Sequence, residues 1–281
     1  MIPAELPPGV HGPIPPDRFL PYLTGPEIAA LDKQRAAVVL PVGAIEQHGP
    51  HLPVVTDTLT GTTVLGRALA RLNRETACWA LPPTNYGKSN EHIGFAGTFT
   101  LSAGTLIVLI TDVAVSAARS GFRRLVLLNS HGGNVPLVDM VARDIRAETQ
   151  MMVFPLHLAR LGASRDFLSE HERLHGMHAG DSETSTTLAL APELVRMERR
   201  VGEVPVVPEG FALPTMPSGV PFAWLTSDFS ESGACGNSET ASREKGEQIV
   251  ELAVERLAAA LEAICAFEMP EGKVVFRAEG S

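Results

Sequence analysis

Short apolar runs that each give way to a helix-spaced segment recur along the first two thirds of the chain. This alternation restricts the fold more than any other feature. Ala36 to Val42 ends at Gly43 and suits a buried strand. Thr58 to Leu72 then carries apolar residues at helical spacing, behind a candidate N-cap at Thr56 or Asp57. Ala77 to Pro82 reads as a second strand, and Thr105 to Ser120 as a helix closed by Gly121. Arg123 to Leu128 and Met151 to Leu156 read as further strands. Between them lies a predicted helix, Val135 to Glu148, which Asn134 can cap and whose first turn tolerates Pro136. Helices are also expected over Ser182 to Leu190 and Lys245 to Ala266. The alternation predicts an α/β fold with a mainly parallel sheet and helices on both faces. Sites in such sheets form just beyond the carboxyl ends of the strands.

No linker divides the 281 residues, so a single domain over residues 1–281 is expected. It includes a proline-rich N-terminal extension, residues 1–18, and an irregular pocket or interface segment, residues 201–244. Trp224 in that segment can line a pocket or pack in a subunit contact. Cys78, Cys235 and Cys265 form no CxxC spacing and are read as buried or incidental thiols in a reducing compartment. A net charge of −9 without a basic block argues against a nucleic-acid partner. No window approaches the roughly 20 apolar residues of a membrane span, and no signal-peptide pattern is present. A cytoplasmic location is therefore expected.

The densest polar cluster follows the first strand: Glu46, Gln47, His48, Gly49, Pro50 and His51, then Asp57. Residues two apart in an extended segment point to one side, so Glu46 and His48 can share a volume. The turn through Gly49 and Pro50 lets Asp57 fold back toward them. This oxygen and nitrogen donor set suits Zn, Mn or Fe(II), and a bridging Asp suits two ions about 3.5–4 Å apart. An exposed charged loop would also carry such a tripeptide. His131 ends another strand beside Gly132 and Gly133, glycines that let backbone approach a ligand. A third cluster, His178 to Ser185, puts carboxylates at a helix start, where Asp181 or Ser182 can equally serve as its cap.

LPVGAIEQHGPHLPVVTDT (Leu40 to Thr58), NYGKSNEH (Asn85 to His92), NSHGGN (Asn129 to Asn134) and HAGDSETS (His178 to Ser185) resemble the signature segments of the creatininase family, in the family's order. That resemblance implies a three-layer α/β/α fold, a homo-oligomer, often a hexamer, and a two-metal centre at the strand ends. Carried over by position, Glu46 and His131 hold one metal, His48 holds the other and Asp57 bridges them. In creatininase the last carboxylate ligand comes just after the strand-end histidine, where this chain has Gly133. Relatives with HGGN are expected to use the glutamate of the later segment, here Glu183. Creatininase also has a pocket tryptophan shortly before the histidine matching His178, where this chain has Leu174, His175, Gly176 and Met177.

The implied activity is hydrolysis of an amide or cyclic C–N bond of a small molecule. Water bridging the two divalent ions (Zn, Mn or Fe) would attack the carbonyl. His178 would carry the proton to the leaving nitrogen, with Glu183 as a second catalytic group. Ser89, Trp224, Gly132 and Gly133 are the expected substrate-binding residues. Glu91 and His92 are assigned to pocket shape or an interface, and His51 to a local contact or one that supports the ligands from behind. Rival readings are formamide, lactone or peptide hydrolysis on the same centre, and a metal-stabilised binding or assembly protein.

Overall fold

A computed structural model describes residues 11–268. The elements run in chain order α1 (Gly25–Ala30), β1 (Ala37–Val42), α2 (Thr56–Arg71), β2 (Cys78–Ala80), α3 (Ala103–Arg119), β3 (Arg124–Asn129), α4 (Val135–Thr149), β4 (Met152–His157), α5 (Glu170–His175), α6 (Asp181–Leu190) and α7 (Arg243–Ala266). The four strands form one sheet in the order β2-β1-β3-β4, and every pair is parallel.

Alternation along the two central strands sorts their side chains into two cores. Ala37 and Val39 of β1 and Val126 and Leu128 of β3 pack with Val64, Leu65 and Leu69 of α2 and Val254, Leu257 and Leu261 of α7. Leu40 and Val42, with Leu125 and Leu127, face the other way onto Leu106 and Ile110 of α3 and Val138, Val141 and Ile145 of α4. Both strands are buried throughout, which explains their near-continuous apolar runs. The result is the expected three-layer α/β/α arrangement.

Residues 1–10 of the expected extension lie outside the described residues. The rest of it is built into the fold: Ile14 is buried in the α2–α7 core, and Arg18 donates to the Asn73 and Thr76 carbonyls. The expected irregular segment is mostly without regular structure, but contains two short strand pairs. Gly202–Glu203 pairs antiparallel with Gly236–Asn237, and Phe211–Ala212 pairs parallel with Val220–Pro221. No helix among the described residues is long and apolar enough to cross a membrane.

Three expected helix caps are not made, for one reason: the polar side chains have tertiary partners. α2 begins at Thr56 without a side-chain cap, because Thr56 bonds the Pro53 carbonyl and Asp57 turns to two histidines. Asn134 does not cap α4; its amide accepts from Lys88 N–H and donates to the Gly43 carbonyl and Asn129. Gly180, not Asp181 or Ser182, occupies the N-cap position of α6. There Glu172 accepts the Asp181 N–H, while Asp181 takes Ser185, Thr240 and Lys245.

Candidate metal centre

The register Val42↔Asn129 sets the exits of β1 and β3 side by side. The loop after β1 carries Glu46 and His48, and the loop after β3 carries His131. The first turn of α2 closes over both, because Gly43 has no Cβ: one built there would lie 2.5 Å from Thr58 Oγ1. That contact brings Asp57 against the strand ends. α6 enters from the side with Glu183, and the bridge between His178 and Cys235 delivers His178.

Three groups of these side chains can each hold a metal ion: Glu46, His48 and His178; Glu46, Asp57 and His131; His48, Asp57 and Glu183. Within each group the donor atoms lie within 4.8 Å of one another. Asp57 faces both ways. Its Oδ1 is 3.7 Å from His48 Nε2 and its Oδ2 is 3.2 Å from His131 Nδ1. Glu46 lies 3.2 Å from His131 Nε2, 3.4 Å from His92 Nε2 and 3.6 Å from His178 Nδ1.

Backbone carbonyls set the histidine tautomers. His48 Nδ1–H donates to the Glu46 carbonyl at 3.0 Å, so Nε2 faces Asp57 and Glu183. His178 Nε2–H donates to the Gln47 carbonyl at 2.6 Å, so Nδ1 faces Glu46. His131 Nε2–H donates to the Lys88 carbonyl at 3.1 Å, with Nδ1 toward Asp57. Donating one ring N–H to a carbonyl while the other nitrogen faces carboxylates is the habit of a metal-binding histidine. Glu183 Oε2 is held by the Ala179 N–H at 2.6 Å. Ala179 adopts a left-handed φ of 52°, a strain met where a site dictates backbone shape.

The donor set fits divalent cations on a direct observation. Glu46 is 1% exposed, yet both its carboxylate oxygens lack a hydrogen-bond partner, as do His48 Nε2 and Asp57 Oδ2. Buried carboxylates without donors need positive charge nearby. The electrostatics say the same. Burial opposes charge on His48, but Asp57, Glu183 and Glu46 hold its pKa up to about 10. Burial likewise works against a charged His131, and Glu46 and Asp57 raise it well above the usual histidine range. Burial, with the His48 charge, keeps His178 and His92 neutral, His92 at about 4. Desolvation, aided by Asp57, pushes Glu183 up to about 7, against the pull of His48.

The remaining expected residues divide. Ser89 is fully buried, with Oγ 3.4 Å from His131 Nε2, behind that ring rather than open to solvent. Gly132 is exposed, and a Cβ there would meet nothing within 4 Å. The space over Gly133 is filled: a Cβ would lie 2.1 Å from Glu91 Oε1. Trp224 is half-buried and packs on Phe229, with ring centroids 5.9 Å apart. His51 makes a long-range contact rather than a local one: its ring lies 2.8 Å from Thr184 Oγ1, beside Glu183 on α6 and 133 residues along the chain. Sequence reasoning gave no role to Gln47, which donates to the Gly233 carbonyl and to His92 Nδ1. Nor did it find Glu172, whose carboxylate accepts the N–H groups of Asp181 and Asn237. His92, set aside from the ions, packs against His178 with ring centroids 3.9 Å apart and planes tilted by 33°, and faces Glu46.

The sequence profile of the creatinine amidohydrolase (creatininase) family matches residues 21–261. A mycofactocin precursor peptide peptidase of Mycobacterium ulcerans (strain Agy99) is 40% identical over 169 residues, 58% of this chain and 62% of that protein. A creatinine amidohydrolase of Pseudomonas putida is 32% identical over 249 residues, 80% of this chain and 88% of that protein. Two solved creatininases, one a manganese form and one of Zn-Zn type, superpose with a TM-score of 0.69 at 31% and 30% identity. Each likeness covers 86% of this chain and 96% of the solved one.

Proposed function

The chain belongs to the creatininase family of hydrolases, and from that premise we propose that it cleaves an amide C–N bond at a centre for two divalent cations. The observation that carries this reading is Asp57, whose two oxygens face two different histidines, each with a further carboxylate at hand. Glu46, Asp57 and His131 would hold one ion, and His48, Asp57 and Glu183 the other. Zn, Mn and Fe(II) all accept this donor set. Bound there, such ions supply Lewis acidity, polarising a carbonyl and lowering the pKa of water from 15.7 to about 7.

The chain's own groups order the rest. Gln47 O fixes the His178 tautomer, leaving Nδ1 free to take a proton from water and return it to the leaving nitrogen. Water thus adds its oxygen to the carbonyl carbon, the C–N bond breaks, and the nitrogen leaves protonated. His92 backs this ring, held neutral and oriented by Gln47 and Thr226. Glu183 keeps its Oε2 on the Ala179 N–H and 3.9 Å from His48 Nε2, which orients the carboxylate toward the ion it would share with Asp57.

The substrate is read first as a small molecule with a cyclic or acyclic amide. A peptide substrate is the second reading, favoured by the 40% identity to a peptidase that processes a precursor peptide. Metal content by mass spectrometry, paired with cleavage of creatinine, formamides and short peptides by the loaded protein, tests both. About two ions per chain with amide cleavage supports the proposal. A fully loaded protein that cleaves none of these sinks the hydrolase reading and leaves a metal-stabilised binding protein.

A further inference from the structure

We propose that Glu91 is a positioning residue of the ion centre, and that Gly133 is glycine to admit it. The inference rests on the two-ion reading above and adds a carboxylate that none of the three ligand groups contains.

The geometry starts from His131. Its Nδ1 faces Asp57, and its opposite nitrogen, Nε2, donates to the Lys88 carbonyl. Two carboxylates flank that Nε2: Glu46 Oε2 at 3.2 Å and Glu91 Oε1 at 3.5 Å. Glu91 reaches the ring through the volume above residue 133. A Cβ built there would lie 2.1 Å from Glu91 Oε1 and 2.5 Å from His131 Nε2. Even alanine at 133 would therefore collide with the carboxylate. The absent side chain does not open a path for substrate; its place is occupied by Glu91.

Charge gives the residue a purpose. Two divalent ions carry four positive charges, whereas Glu46, Asp57 and Glu183 together carry three negative ones. With the centre's histidines neutral as ligands, Glu91 supplies the fourth. Charges out of water are tolerated when balanced, and a metal-binding histidine is held by an anionic or carbonyl partner on its other nitrogen. Glu91 has the position for both tasks. Its side chain is 18% exposed, and its Oε1 lies 3.5 Å from His131 Nε2. No described side chain donates a hydrogen bond to it.

The test is binding of Mn(II) to metal-stripped full-length protein, following free Mn(II) by EPR. Glu91→Gln keeps the shape and removes the charge. Its ion dissociation constant should rise about 10- to 100-fold, the usual cost of losing such a partner. Melting of the ion-free protein should stay unchanged, which a folding defect would not allow. Glu91→Asp, which keeps the charge, should recover part of the affinity. Wild-type affinity in Glu91→Gln overturns the proposal while leaving the two-ion reading intact. A wild-type protein that takes up no Mn(II), Zn or Fe(II) would instead sink the parent reading.

Discussion

Replacing Asp57 by Asn is the sharpest perturbation of the proposed centre, because the amide keeps the shape and loses one liganding oxygen. Asp57 belongs to two of the three possible ligand groups, whereas Glu183 belongs to one. An ion that binds only the folded chain stabilises it by about 4.1 kcal/mol when its free concentration is 1,000 times Kd. In a chain of 281 residues each kcal/mol moves Tm by about 2–4 °C. Loading the stripped wild type should therefore raise Tm by about 8–16 °C per tightly bound ion. If Asp57→Asn weakens binding about 100-fold, the same free ion leaves only about 1.4 kcal/mol, or roughly 3–6 °C. Glu183→Gln, touching one group, should weaken binding about tenfold and leave about 2.7 kcal/mol, or roughly 5–11 °C. Differential scanning fluorimetry of stripped and reloaded protein at fixed free Mn(II) or Zn reads all three. Equal gains in wild type and Asp57→Asn would refute the reasoning, as would a larger loss in Glu183→Gln than in Asp57→Asn.

Two further predictions concern parts of the molecule away from the ions. A Cβ on Gly246 of α7 would lie 1.8 Å from the Ser185 carbonyl oxygen, a backbone atom of α6. Gly246→Ala should cost about 1–3 kcal/mol by overpacking, against about 1 kcal/mol returned in helix propensity. Gly104→Ala in α3, where a Cβ meets nothing within 4 Å, should instead gain about 0.5–1 kcal/mol. Urea denaturation checks the pair, and two changes of the same sign would contradict the packing. Thiol labelling should be selective as well. Cys265 is half-buried and its pKa is lowered, chiefly by a hydrogen bond from Cys78. Burial pushes Cys235 up to about 12, and Cys78 is raised by its hydrogen bond to Cys265 and by burial. Iodoacetamide at pH 8 should modify Cys265 first, and the other two only on unfolding. Peptide mapping that finds Cys235 modified as fast as Cys265 would refute this.

The layers of the fold were legible because the two central strands bury both faces and each long helix buries one stripe. Most element ends fall within two residues of expectation, as in Val135–Thr149 against Val135 to Glu148. Two short helices, α1 and α5, were not expected. Six residues are too few to show a helical period. Glu46, His48, Asp57, His131 and Glu183 were legible as candidates, since each falls at a strand exit or helix start, and the structure brings them together. Their supports were not. Gln47 and Gly233 are bonded across 186 residues, and His92 and Thr226 across 134. No local pattern encodes such a pairing. The failed caps have the same origin: Asn134 and Asp181 fit a cap by type, but long-range partners outcompete the local one.

How the irregular segment meets the centre bears on what it contributes. It places none of the five proposed ion ligands, which all come from strand exits or the first turns of α2 and α6. It touches instead the groups that hold the row of adjacent, mutually tilted imidazoles His48, His178 and His92. Gly233 accepts from Gln47, Thr226 bonds His92, and Cys235 pairs with His178. Rigid elements therefore carry the proposed donors, while a segment with little regular structure braces His178, the residue proposed to move the proton, and carries Trp224. Loops of this kind tolerate change far better than packed strands. Such a division lets one ion-binding frame keep its chemistry while its substrate differs, consistent with creatinine and precursor-peptide hydrolases both lying among its relatives.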